Sequence, residues 1–396
     1  MTLGNLYMKN NSSKLTIFLG TFNAETYLGN MFQQIKFQED QNFKLLVVDN
    51  NSSDKSYQML SDWGNFFDKK ITLVRNKSNI GVPANIYSNI EKFQTPWFCN
   101  FHQDDFYKPN HVSTINQLIS SAGNDIVGVS TTMGSMSNEG KVLNSKPRAS
   151  WFRSNLDQPG QFLQNIRAQS VPYPATAFRL DVFKKAKTSA HNPTFSDTEQ
   201  TLKFLGYGKF LFSQKETMLY RENPNSASHL LNDKERMMGA SISLCRVFNS
   251  KEFDYVLEEV HKAKRSVFAK ELMRAIACRI PESDLLQTTQ ILALEHMIEK
   301  WGYQEKNLVL LLGHVYKSFS SSQTIGLISN LNTSRLEVSN IYKSQQKKEK
   351  ITKRIWDIYF NLNNPTIRKL NKLFVKKVYC LIFLFKPRHI FKNNWK

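Results

Sequence analysis

The stretch Leu15-Thr16-Ile17-Phe18-Leu19-Gly20-Thr21-Phe22-Asn23-Ala24-Glu25-Thr26-Tyr27-Leu28 decides the fold. Leu15–Leu19 is a short apolar run of the kind that forms a strand. Behind it, Tyr27, Leu28, Met31, Phe32 and Ile35 recur at helical spacing and give one apolar face. The same alternation returns along the next hundred residues. Further strands are expected at Lys44–Asp49, Ile71–Arg75, Trp97–Phe101 and Asp125–Ser130, and helices at Asp54–Phe66 and Pro83–Phe93. Pro83 stands in a first turn, where its missing N–H does no harm. Repeated strand–helix units predict the α/β class, with ligands at the carboxyl ends of parallel strands. Asn23 and Glu25, then Asp49 to Asp54, Arg75 to Asn79, and Asp104 with Asp105 should therefore converge on one rim.

The chain has 396 residues, 41% hydrophobic and 12% aromatic, enough for more than one core and too apolar for a disordered chain. Its organisation is expected as a catalytic domain over 1–230, a helical region over 231–342 and a basic amphipathic tail over 343–396. Asp254–Cys278 and Ser283–Trp301 carry long helical patterns. From Ser130 to Pro174, clusters of Gly, Ser, Asn and Pro suggest loops over the site or an acceptor-binding insertion. Lys343 to Arg354 reads as a charged linker.

The formal charge of +20 is uneven. Residues 1–230 hold 24 Lys and Arg against 18 Asp and Glu, whereas the last 54 residues hold 15 against two. An anionic partner for the tail follows, and on residues 367–385 Ile367, Leu370, Phe374, Val378, Leu381 and Phe385 share a face opposite Arg368, Lys372 and Lys376. That pattern suits a helix lying in an anionic membrane interface; its alternative is a helix packed on the protein's own core. No run of about 18 apolar residues occurs, and Met1–Lys14 lacks a secretory apolar core. The four cysteines, Cys99, Cys245, Cys278 and Cys380, form no CxxC pair and suggest a reducing compartment. The expected location is cytoplasmic, peripheral at the inner face of the plasma membrane.

Several residues offer chemistry by type and place. Asp49, directly after a strand, can accept from a base N–H or a ribose hydroxyl, or can cap the next helix, as Ser52 or Ser53 also could. Asp54 is a natural helix-start residue. Glu25 sits where a helix dipole favours a carboxylate. Arg75 can pair with base or phosphate. Asp104 and Asp105 repel each other unless a cation offsets them, and their hard oxygens suit Mg²⁺ or Mn²⁺. Asp197, in Ser196-Asp197-Thr198-Glu199, can serve as a general base or cap a helix, with Glu199 as second choice for the base.

These runs resemble a known family. Thr21-Phe22-Asn23-Ala24-Glu25-Thr26-Tyr27-Leu28, Val48-Asp49-Asn50-Asn51-Ser52-Ser53-Asp54, Arg75-Asn76-Lys77-Ser78-Asn79-Ile80-Gly81 with Asn85, and Gln103-Asp104-Asp105-Phe106-Tyr107 look like the motifs of family 2 glycosyltransferases of GT-A fold, which includes rhamnosyltransferase-like bacterial surface-glycan enzymes. His102 stands where the family's Asp-x-Asp-Asp pattern has its first Asp. Tyr220-Arg221-Glu222-Asn223-Pro224-Asn225-Ser226-Ala227-Ser228 is similar to a segment that closes over the donor, with Asn223 in place of a His. The resemblance implies a Rossmann-like nucleotide-binding sheet with a helical C-terminal region, and inverting transfer from a nucleotide-diphosphate sugar to a glycan or lipid-linked hydroxyl. It implies donor contacts at Thr21, Asn23, Glu25, Asp49, Asn50, Ser52, Asp54, Arg75, Asn79, Gly81 and Arg221, a Mg²⁺ or Mn²⁺ site at Asp104 and Asp105, and a base at Asp197 or Glu199. A nucleotidyltransferase acting on sugar phosphates would want a Gly-rich phosphate loop, and none follows Leu19. A basic nucleic-acid-binding protein is the remaining rival; no nucleic acid is expected as partner.

Overall fold

A computed structural model describes residues 13–67, 71–148, 155–168, 171–188, 196–224, 231–280 and 284–302, with 308 and 311. The basic tail, the proposed linker and nearly all of 303–342 lie outside the described residues, as do Asn225–Ser228.

The N-terminal half alternates as its periodicity predicts: β1 (Leu15–Thr21), α1 (Glu25–Lys36), β2 (Lys44–Asp49), α2 (Ser56–Phe67), β3 (Ile71–Arg75), α3 (Val82–Ser88) and β4 (Trp97–Phe101). β1 pairs in parallel with β2 and β4, and β2 with β3. Both faces of these strands are covered. Leu15, Ile17 and Leu19 join Leu28, Met31, Ile35 and Leu60 in one core, while Phe18 stacks on Phe93 on the other. Burial on both faces explains why β1 and β2 are nearly continuous apolar runs.

Beyond β4 the sheet turns mixed. β5 (Phe106–Tyr107), α4 (His111–Ser121), β6 (Ile126–Ser137), β7 (Val142–Arg148), α5 (Gln158–Arg167), β8 (Thr176–Arg179), α6 (Leu180–Lys185), α7 (Ser196–Phe204) and β9 (Lys209–Glu222) complete it, in the order β3-β2-β1-β4-β8-β6-β9-β5 with β7 on β6. β8 runs antiparallel between β4 and β6, and β9 pairs with both β6 and β5. This curled, mixed sheet is the expected GT-A arrangement. The expectation of loops over Ser130–Pro174 is corrected: that interval holds the second half of β6, all of β7 and α5. Ser130, Thr131, Thr132 and Ser135 are buried in β6, and hydroxyls there bond inside: Ser130 meets Thr176 at 2.8 Å, Thr131 meets Thr217 at 2.7 Å, and Thr132 donates to the Gln214 carbonyl at 3.1 Å. A buried strand built on paired hydroxyls shows no apolar alternation. Gly128 is needed where β6 passes Phe210, since a Cβ there would overlap that ring.

Contacts divide the chain into two compact units, residues up to 239 with 250–259, and 240–249 with those after 260. In the second, α8 (Asp233–Phe248) contributes its later turns, followed by α10 (Arg265–Arg279) and α11 (Asp284–Trp301). The single helix expected over Asp254–Cys278 is instead α9 (Lys251–Glu258), one 3₁₀ turn at Lys262–Lys264, and α10. Val260 is buried and the His261 ring accepts the Ala263 N–H at 3.3 Å, so this segment turns rather than continuing as helix. Among the described residues, no helix is long and apolar enough to cross a membrane.

Candidate active site

The ends of β1 and β2 are sewn together by the residues that sequence reasoning singled out. Asn23 and Asn51 take left-handed backbone angles, φ 46° and 66°, the strained turns that Asn tolerates best. The Asn23 N–H donates to Ser52 Oγ at 3.0 Å, and Asn23 Oδ1 accepts the Ser53 N–H at 2.9 Å. The Glu25 N–H donates to Asp54 at 3.1 Å, and the Glu25 carboxylate accepts the Lys55 N–H at 3.2 Å. Burial tends to raise the Asp54 pKa, but bonds from Ser56 and Glu25 outweigh it and hold the carboxyl below its ordinary value. Thr21 is buried, with its hydroxyl toward the Val48 carbonyl at 3.5 Å. These side chains therefore shape the rim.

Asp49 is fully buried. Its carboxylate accepts the Ser52 N–H at 3.2 Å and pairs with Arg75 Nε at 3.2 Å. Arg75 also donates to the Ser52 carbonyl at 3.0 Å and lies over the Tyr57 ring at 4.5 Å, its side chain still 42% exposed. Tyr57 was not anticipated; nothing in its position at the start of α2 announces a platform for an arginine at the end of the next strand. Next to them runs an asparagine chain. Asn50 donates to Asn79, and Asn76 donates to both Asn50 and Asn85, each at 2.8 Å. Asn50 Oδ1 also accepts from Ile80 N, and Asn79 Oδ1 from Gly81 N, fixing Gly81 at φ 78° ahead of α3.

The turn after β4 carries the carboxylate pair. Gln103 holds the Phe22 main chain with both ends of its amide, at 2.9 and 3.2 Å, joining this turn to the first. The His102 N–H donates to Tyr107 Oη at 2.9 Å, and Tyr107 lies flat on Phe101, ring centroids 3.7 Å apart. Asp105 is sealed: Oδ1 accepts the Arg221 N–H at 2.9 Å, while Oδ2, buried and without a hydrogen bond, stands 3.4 Å from His102 Nδ1. Asp104 is half-buried. Burial raises the Asp105 pKa, and the histidine and the Arg221 N–H only partly offset it. Burial alone would lower the His102 pKa, but the adjacent Asp105 carboxylate, then the charges of Asp104 and Asp197, leave it above its ordinary value. Asp197 thus joins this group electrostatically, from the first turn of α7.

An orphaned carboxylate oxygen beside a second carboxylate fits a divalent cation. Among the described residues no cluster of three His, Cys, Asp or Glu could hold a metal alone. Oxygens of a diphosphate would have to complete any such site.

Two of the expected site residues have partners of their own. Glu199 is 1% exposed at its side chain and bonded to Lys203 at 2.8 Å, one helical turn away, so it is committed inside α7. Arg221 reaches the Asp104 carbonyl with Nε at 2.6 Å and the Asn138 carbonyl with Nη1 at 2.5 Å, holding main chain. Sequence reasoning also missed the clamp on α7, where Gln200 accepts from Tyr173 Oη at 2.6 Å and donates to Tyr87 Oη at 2.8 Å.

Residues 16–186 match the family described as Glycosyl transferase family 2. That segment is similar to family 2 glycosyltransferases. The teichoic acid poly(glycerol phosphate) polymerase of Staphylococcus epidermidis is 31% identical over 93 residues, 24% of this chain and 13% of that protein. Two uncharacterized glycosyltransferases of Haemophilus influenzae match at 26% over 105 residues and 24% over 200, covering 32% and 75% of their lengths. The chain thus spans less than a third of the first two relatives. Among solved structures, S. aureus TarS 1–349 in complex with UDP-GlcNAc is similar with a TM-score of 0.48 and 13% identity, over 73% of this chain and 89% of that one.

Proposed function

We propose that the protein transfers a glycosyl group from a nucleotide-diphosphate sugar to a hydroxyl of a glycan or lipid-linked acceptor in surface polysaccharide synthesis. The observation that carries this reading is the convergence, on the rim of one family 2 domain, of the Asp49–Arg75–Tyr57 group, the Asp104–Asp105 pair and Asp197. Arg75, partly exposed and held from behind by buried Asp49, would meet the base or ribose. Mg²⁺ or Mn²⁺ held by Asp104, with Asp105 beside it, would neutralise the diphosphate leaving group. Asp197 accepts the proton of the attacking hydroxyl, and attack from the face opposite the diphosphate inverts the anomeric centre. Glu199 is set aside as base because its charge is already paired.

The match to a teichoic acid polymerase supports a surface-polymer acceptor. Such acceptors are carried on lipid, which is consistent with peripheral attachment at the inner face of the membrane through the basic tail. A nucleotidyltransferase reading has no phosphate loop after β1: residues 21–24 bond to the neighbouring turns through Asn23 and Ala24.

The test is release of nucleotide from UDP-, GDP-, dTDP- and CMP-sugars by the full chain with Mn²⁺, water serving as slow acceptor. Release from one donor class, lost in Asp197→Asn, is expected. Absence of release from every donor at stoichiometric enzyme would overturn the reading.

A further inference from the structure

β9 is flanked by β6 on one side and β5 on the other, and its last residues reach two features at once. Leu219 pairs with Phe106, directly after the carboxylates, while Arg221 pairs with Met136, directly before the β6–β7 turn. From that register Arg221 makes a fan of contacts, one to a carboxylate and the rest to main-chain carbonyls. Its own N–H donates to Asp105 Oδ1 at 2.9 Å, Nε to the Asp104 carbonyl at 2.6 Å, and Nη1 to the Asn138 and Ser137 carbonyls at 2.5 and 3.4 Å. The guanidinium sits 5.6 Å from the Tyr27 ring centroid on α1. The β6–β7 turn is itself tight, with Gly140 at φ 88° and its N–H on the Ser137 carbonyl at 3.0 Å.

We infer that Arg221 is a positioning residue for the cation: it fixes the Asp104–Asp105 main chain against the β6–β7 turn and serves the diphosphate through that pair. The inference rests on the metal-assisted reading above and gives Arg221 a role other than direct donor contact. The chemistry favours arginine specifically. Its planar fork can satisfy carbonyls on two separate segments, whereas a lysine ammonium is a point charge on a flexible stem. The carbonyls of Asp104 and Asn138 carry no net charge, so those contacts depend on the geometry of the fork; the Glu139 carboxylate on the same turn adds an attraction to the guanidinium.

Arg221→Lys keeps the charge and removes the fork, and therefore separates the two roles. Mn²⁺ titrated against the full chain with nucleoside diphosphate, followed by electron spin resonance of free Mn²⁺, should need on the order of 10-fold or more metal for half-saturation in both Arg221→Lys and Arg221→Ala. Nucleoside monophosphate binding without metal should be unchanged in both. A metal-independent readout accompanies these: amide hydrogen exchange across 103–107 and 137–141 should quicken in both variants. Wild-type metal affinity with wild-type exchange in Arg221→Lys would overturn the inference. So would loss of monophosphate binding in Arg221→Ala, which would mark general damage to the fold. If the wild-type chain binds no Mn²⁺ with any nucleoside diphosphate, the metal reading fails; unchanged exchange in the variants would then reject the strut as well.

Discussion

The two halves of the rim are built differently. On the parallel side, loops after β1, β2 and β3 are joined by polar side chains between neighbouring strand ends, Asn23 with Ser52 and Ser53, Glu25 with Asp54, Asn50 with Asn76 and Asn79, and Gln103 joins the loop after β4 to Phe22. On the antiparallel side, α7 and β9 are held from behind by buried aromatic and hydroxyl contacts, among them Tyr87–Gln200–Tyr173 and Thr131–Thr217–His111. The contrast separates shaping from chemistry. Most polar motif residues of the parallel side hold loops to each other, and Arg75 and Asp104 are among those that stay partly exposed. The antiparallel side contributes Asp197, set on a helix whose neighbouring side chains are already tied down.

The largest effect should come from the antiparallel side. Asp197→Asn preserves shape but cannot accept a proton, and should lower turnover by a factor on the order of 10²–10⁴ with donor binding intact. Steady-state turnover with a donor-binding titration checks it; wild-type turnover would remove Asp197 as base. On the parallel side, Asp104→Asn should lower turnover by a factor on the order of 100 or more, and excess EDTA should do the same to the wild type. Full activity in EDTA would sink the metal role.

What the sequence disclosed follows the same division. Parallel strands covered on both faces must be apolar runs, and their loops carry dense polar motifs, so β1 to β4 and the carboxylate pair were legible. β6 from Ser130 on was not, because Ser130, Thr131 and Thr132 are buried with their hydroxyls bonded to partners on β8 and β9. Nor could the pattern show that Asp49 faces inward to Arg75, that Tyr57 lies beneath that arginine, or that Glu199 is spent on Lys203. Those facts depend on contacts between elements, which periodicity does not record.

Smaller effects probe the antiparallel half as a folded object. Gly128→Ala forces a methyl into the Phe210 ring and should cost about 1–3 kcal/mol, read by denaturant unfolding. An unchanged midpoint would show that β6 and β9 are less tightly joined than described. His111 is buried beside Thr217, and burial lowers its pKa to about 3. The unfolded chain takes up a proton below about pH 6.5 while the folded one does not, so this contribution to stability is present above that pH and lost below it. From pH 6.5 to 5 the loss should approach about 2 kcal/mol. His111→Gln should flatten that slope; an identical slope would assign the pH dependence elsewhere.

The central claim, a nucleotide-diphosphate site working with a cation on this rim, is tested most directly by thermal denaturation of the full chain with UDP-, GDP-, dTDP- and CMP-sugars, each with Mn²⁺ and with EDTA. A cognate donor at about 100 times its dissociation constant should stabilise by about 2.7 kcal/mol. The account predicts that one of the diphosphate donors, UDP-, GDP- or dTDP-sugar, does so with Mn²⁺ while CMP-sugars do not, and that EDTA or Asp104→Asn removes most of the shift. No shift with any donor in Mn²⁺, or a shift that EDTA and Asp104→Asn leave whole, would contradict it.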